Sequence, residues 1–160
     1  MTGGWSALRC VLMSGEQRIE RPNEAERAWI QANLQVSRSF ATSYSGARVA
    51  ERVPPLELLD HAWTQWLGEW EARPPAERDD PNPVINGVGI AFGQHLVDAL
   101  GLEWGVVTDE YGTELAVHGE PANIVVFPAN LIAKRFEGRT VGFIVQVFHQ
   151  VRSEIQSMRS

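Results

Sequence analysis

The sequence is short of the residues that usually anchor chemistry. It has one cysteine, Cys10, so no internal disulfide can form and no Cys-x-x-Cys pair exists for zinc or redox work. Cys10 lies in Ala7-Leu8-Arg9-Cys10-Val11-Leu12-Met13 with no histidine or carboxylate beside it, the setting of an apolar filler rather than a nucleophile. Lys134 is the only lysine among 14 Lys and Arg residues, and no Gly-x-x-x-x-Gly-Lys precedes it, which excludes P-loop nucleotide hydrolysis. Positive charge is also scarce. Against 20 Asp and Glu the net charge is −6, so there is no basic excess to neutralise nucleic-acid phosphates or to hold an anionic membrane surface. No run approaches the ~20 apolar residues of a spanning helix. The first residues also lack a secretory signal: their apolar stretch is short, broken by Arg9, and followed by no small-residue cleavage site. The expected compartment is the cytoplasm.

Metal and cofactor signatures are missing too. The histidines are His61, His95, His118 and His149, none with another at i+2 to i+5, so no local clamp forms. His118-Gly119-Glu120 matches the His-x-Glu half of a zinc deaminase without its Cys-x-x-Cys half. Gly87-Val88-Gly89 with Gly93 is not a dinucleotide loop, because a proline-rich stretch precedes it instead of a strand and the last spacing is one residue too long. Ser43-Tyr44-Ser45-Gly46 lacks the leading glycine of a nucleophile elbow. We therefore assign no catalytic residue, no metal ligand and no cofactor.

What remains is an ordinary globular composition: 160 residues, 44% apolar and 21% charged. A chain of this size buries roughly 70% of its unfolded surface and needs no staple. Residues 1–21 show no clean period and read as a loosely ordered arm, with Trp5 available to dock on the body. A single domain follows over 22–160. Asn23 and Glu26 have capping-box spacing, and Ala25, Trp29, Ala32 and Val36 repeat at helical spacing with Ile30 and Leu34 beside them. Pro54-Pro55 opens a second helix with Leu56, Leu59, Trp63, Trp66, Leu67 and Trp70 on one face. That tryptophan stripe is either core or a binding groove, and core is the plainer reading. Residues 22–72 thus form a helical half. Residues 73–83 carry four prolines and form an extended linker.

The second half, 84–160, reads as one helix, three strands and two helices. A helix over about 84–100 stops at Gly101. It buries Ile85, Val88, Phe92, Leu96 and Ala99. Gly87, Gly89 and Gly93 lie inside it, each costing up to ~1 kcal/mol against alanine, so a neighbouring backbone should approach there. The period then switches to two: 102–108, 113–117 and 123–127 form an antiparallel meander with a turn at Asp109-Glu110-Tyr111-Gly112. Helices over about 129–136 and 141–158 follow and pack on the sheet. Segregated elements of this kind make an α+β fold.

The densest polar group is Glu103, Asp109, Glu110 and Tyr111 on the hairpin, with Lys134 and Arg135 on a helix that returns toward the sheet. Together these six residues form the candidate interaction surface. Several steps in this half also resemble a known family: Gly89-Ile90-Ala91-Phe92-Gly93, Leu102-Glu103-Trp104, Thr108-Asp109-Glu110-Tyr111-Gly112, Val126-Phe127-Pro128 and Lys134-Arg135. In that order, over about 85–139, they are similar to a family of small, mainly bacterial proteins defined only as a domain of unknown function. The resemblance implies an α+β domain and no established activity.

The reading that follows is a cytoplasmic, non-enzymatic protein-interaction module, its partner another protein or a second copy of itself. One alternative is an immunity protein that neutralises a basic bacterial toxin, since an acidic surface steers onto a basic one. The other is an enzyme with a dispersed histidine and carboxylate site.

Overall fold

The computed structural model of the chain describes residues 9–10, 18–120 and 124–160. The expectation for Trp5 lies outside the described residues. The chain is α+β, with helices α1 (Glu24–Ser45), α2 (Leu56–Ala72), α3 (Asn82–Leu100), α4 (Pro128–Glu137) and α5 (Ile144–Arg159). The strands are β1 (Arg9–Cys10), β2 (Arg18–Glu20), β3 (Glu103–Asp109), β4 (Gly112–Gly119) and β5 (Ile124–Val126).

The meander β3–β4–β5 forms as expected, but the sheet is wider than three strands. β2 pairs with β3, Ile19 opposite Val107, and the two-residue β1 pairs with β5, giving the antiparallel order β1-β5-β4-β3-β2. Arg18-Ile19-Glu20 is exposed throughout. An edge strand held by backbone bonds needs no apolar alternation, so the period-two signal passed over it.

α1 begins at the expected capping box: Asn23 N donates to Glu26 Oε1 at 2.7 Å and Glu26 N donates to Asn23 Oδ1 at 2.8 Å. Its buried face holds Ile30 and Leu34 as expected and differs in the rest. Ile30, Asn33, Leu34, Ser37 and Ala41 face inward, while Ala25, Trp29, Ala32 and Val36 are exposed. α1 packs closely on α3 at Val36 and Ser37. An ideal Cβ on Gly87 would sit 2.8 Å from Val36 Cγ1 and 3.4 Å from Ser37 N. An interface that tight takes small residues, and Ser37 satisfies its hydroxyl on Leu34 O.

The tryptophan stripe of α2 is core. Trp63 is wholly buried and Trp70 nearly so. The Trp63 indole N–H donates to Thr140 O at 2.9 Å, and its ring packs edge-on against Phe143 and Phe136. Tyr44 Oη donates to Glu69 Oε1 at 2.9 Å, tying the end of α1 to α2. Burial, then the bond to Glu69 and that carboxylate's charge, push Tyr44 up to about 12. Tyr111 is also raised, by its hydroxyl bonding to Glu110 and by the Glu110 charge. The sequence holds two tyrosines. An absorbance titration should therefore show phenolate only above the ordinary tyrosine range, with Tyr44→Phe deleting the later step. Because the folded value for Tyr44 exceeds the unfolded one, its stabilising contribution is complete below pH ~10 and lost as pH rises toward 12. Both tyrosines ionising near the free value would refute these environments.

The proline-rich stretch is not a free connection. A short 3₁₀ turn spans Pro75–Glu77. Trp70 Nε1 donates to Asp79 O at 2.8 Å. Arg78 stacks 4.8 Å over the Trp70 ring and donates to Arg73 O and Glu71 O. The segment is strapped to the end of α2, and α3 starts at Asn82.

α3 is the central helix. It packs on α1, on α4 and against β4. Its buried face is as expected except that Ala99 is exposed and Leu100 takes its place. The C-terminal helices share one core with Val117, Ile124 and Val126 of the sheet. Their main partners, however, are helices: α4 lies on α3, and α5 on α2 and α3. The entry to α5 is capped from α2. Asp60 Oδ1 accepts from Ile144 N at 3.1 Å and Oδ2 from Val145 N at 2.9 Å, which satisfies donors that α5 itself leaves open.

Candidate functional site

The sheet has two unlike faces. Trp104, Val106, Leu115 and Val117 turn toward the helices, as strand alternation predicts. Trp104 Nε1 donates to the buried Gln94 Oε1 at 2.9 Å, and Gln94 Nε2 donates to Asp98 Oδ1 at 2.9 Å. The second face carries Glu103, Gly105, Val107 and Asp109 on β3, paired with His118, Ala116, Glu114 and Gly112 on β4. Its centre is a separate apolar cluster of Val107, Ala116, Val125 and Phe127.

At one end of this face is the hairpin tip. Asp109 pairs with Gly112, so Glu110 and Tyr111 form a two-residue turn, and Gly112 takes φ +130°, a backbone position that suits glycine. Asp109 Oδ1 accepts from Tyr111 N at 2.8 Å and fixes the turn from within. Tyr111 is 86% exposed. Behind it lies a groove of about 240 Å³ lined by Val107, Asp109, Tyr111, Thr113, Glu114 and Phe127. The sequence singled out Asp109, Glu110 and Tyr111. It missed Thr113, Glu114 and Phe127. The register of β4 would have revealed the first two, whereas Phe127 arrives only through the fold.

The six predicted surface residues do not converge. Glu103 shares a face with Asp109 but stands at the far end of β3, about 20 Å away at strand rise. It borders a different pocket, of about 520 Å³, with Ile19, His118, Glu120 and Arg159. There His118 sits opposite Glu103, and its ring lies against Gly105, where a Cβ would meet the imidazole at 2.7 Å. Arg159 donates to Glu120 O and Leu100 O, tying the last turn of α5 to this end of the sheet. This pocket brings His118 together with Glu103 and Glu120 at one end of the sheet. Lys134 and Arg135 are elsewhere again. Arg135 stacks 5.8 Å from the Phe143 ring, itself packed on Trp63, so it belongs to the aromatic cluster of α2. No ion pair among the described residues joins either cation to the hairpin.

The other histidines behave as helix residues. His95 Nε2 bonds Pro54 O at 2.7 Å, and His61 and His149 are exposed. Among the described residues no group of three His, Cys, Asp or Glu is placed to hold a metal ion. No helix there is long and apolar enough to cross a membrane.

Several of the residues that carry the family resemblance pack on one another. A Cβ on Gly93 would lie 2.6 Å from the Trp104 ring and 2.8 Å from Pro128 Cγ, and one on Gly89 would lie 2.7 Å from Ala129 Cα. Gly89, Gly93, Trp104 and Pro128 thus form the joint between α3, the sheet and α4. The tip residues Asp109, Glu110 and Tyr111 do not belong to this joint. No curated protein and no solved structure matches the chain significantly. The segment that builds α3, β3–β5 and α4, residues 72–148, matches the family model of DUF3806, a domain of unknown function.

Proposed function

We propose that the chain is a protein-binding module that grips a basic partner with the β3–β4 hairpin tip. The observation that carries this reading is Tyr111, 86% exposed on a turn braced by Asp109 and flanked by the Glu110 carboxylate. An exposed tyrosine on a stiff support gives up little conformational freedom on binding, and tyrosine is favoured among residues that dominate interfaces. The adjoining groove, lined by Asp109, Thr113 and Glu114 beside Tyr111, supplies a shallow and mostly polar seat. The acidic surroundings speed encounter with a positive surface. They also disfavour a second copy of the chain as partner through this tip, since Asp109 and Glu110 would meet their own kind. A basic toxin, the immunity reading, is a narrower case of the same chemistry.

The test places a photo-reactive side chain at position 111 in cells that make the protein. One discrete adduct is expected. It should weaken at high salt and disappear when Glu110→Lys is added, with the circular dichroism unchanged. Once the partner is in hand, Tyr111→Ala should cost about 2 kcal/mol of binding. No adduct from 111, or the same adducts from exposed Glu57 on α2, would refute the tip as the contact.

A further inference from the structure

A second concave site lies on the last turns of α1 and the loop after it. Gln35, Arg38, Ser39, Thr42, Arg48 and Val49 line a groove of about 530 Å³. Residues 35, 38, 39 and 42 share one helical face. The loop folds back because Val49 N donates to Thr42 Oγ1 at 3.1 Å and the Val49 side chain is buried, which sets Arg48 at the groove.

The hydrogen-bond balance of this groove is lopsided. Three of its acceptors are in use: Gln35 Oε1 receives Arg38 Nη1 at 3.3 Å, Val49 O receives Arg38 Nη2 at 3.4 Å, and Thr42 Oγ1 receives Val49 N. The donors are not. Arg38 Nε is buried without a partner and closed to the groove, but both bonds that the outer nitrogens of its guanidinium make are long and can be exchanged for better ones. Arg48 has no ion pair among the described residues. The Gln35 amide and the Ser39 and Thr42 hydroxyls have protons to give. In a chain with six more acidic than basic residues, two guanidiniums line one groove without a carboxylate.

We propose that this groove binds a small molecule bearing a phosphate group. Two guanidinium forks match the geometry of an oxyanion. The donors on offer exceed what the two oxygens of one carboxylate can accept and suit the three terminal oxygens of a phosphate monoester. The volume leaves room for an organic remainder and lies in the range of small-molecule sites. This site is independent of the hairpin reading.

The experiment follows thermal unfolding of the full chain against inorganic phosphate and glycerol phosphate, with malonate as the carboxylate probe, all at constant ionic strength. Phosphate stabilises proteins generally by exclusion from their surfaces, so the decisive quantity is the difference between the native chain and two variants. A saturable rise in melting temperature is expected with both phosphates, with apparent affinity roughly tenfold weaker in Arg48→Gln. Gln35→Glu places a carboxylate beside Arg38. It should hold or raise the unliganded melting temperature and abolish the phosphate-dependent rise. Variants that respond like the native chain, or no saturable rise at all, would overturn the site. Malonate binding as well as phosphate would overturn the phosphate assignment.

Discussion

Gly89→Leu is expected to leave little folded protein. An ideal Cβ at that position already falls 2.7 Å from Ala129 Cα and 3.2 Å from Ala129 N. Both obstacles are backbone of α4, which cannot rotate away as a side chain would. Gly89→Ala should then cost about 2 kcal/mol, although alanine favours a helix by up to ~1 kcal/mol. Leucine adds three more carbons and should cost several kcal/mol, a large part of the roughly 5–15 kcal/mol that holds a domain together. Urea unfolding followed by circular dichroism measures both. Gly68 supplies the control: it is also helical, but nothing lies within 4 Å of its added Cβ. Gly68→Ala should be neutral or stabilise by up to ~1 kcal/mol. A Gly89→Ala variant as stable as Gly68→Ala would remove the close-approach explanation for the glycines of α3.

The second large effect is expected at Trp63. The side chain is wholly buried and touches Trp66, Phe136 and Phe143, so Trp63→Ala empties the middle of the α2–α4–α5 junction and should cost about 3–5 kcal/mol. Trp63→Phe separates packing from polarity. It refills most of the volume but leaves Thr140 O without its donor, for a loss of about 1–3 kcal/mol. Equal denaturation midpoints for Trp63→Ala and the native chain would mean that the stripe is a groove rather than core.

These two positions also mark how far the sequence could be read. Trp63 and its stripe were legible because a long apolar face at helical spacing has few uses other than burial. The glycines of α3 were legible as a demand for close approach, although not for which neighbour: Ala129 is forty residues away and arrives by way of the sheet. The inner face of α1 was legible only in part. Ile30 and Leu34 lie inside as read, but Ala25, Trp29 and Ala32 are exposed and Val36 is only partly covered where it meets Gly87, while Ser37 and Ala41 lie inside. At the candidate site, Asp109, Glu110 and Tyr111 were readable because a two-residue turn is local. Grouping them with Glu103, Lys134 and Arg135 required knowing where a strand ends and which way a helix departs, and neither property resides in those residues.

The carboxylate of Asp60 reaches from α2 to the opening amides of Ile144 and Val145, and this bears on how the molecule divides. The family match starts at residue 72 and ends at 148. A fragment cut at those limits keeps α3, β3–β5 and α4. It leaves behind Asp60, Trp63 and the Val151 and Ile155 turns of α5, which are buried in the common core. The family match and the shared hydrophobic core, which runs from Ile30 to Ile155, are therefore different lengths of chain. The matched stretch supplies the three middle strands of the sheet and its central helix, while the two edge strands, α1, α2 and most of α5 come from outside it.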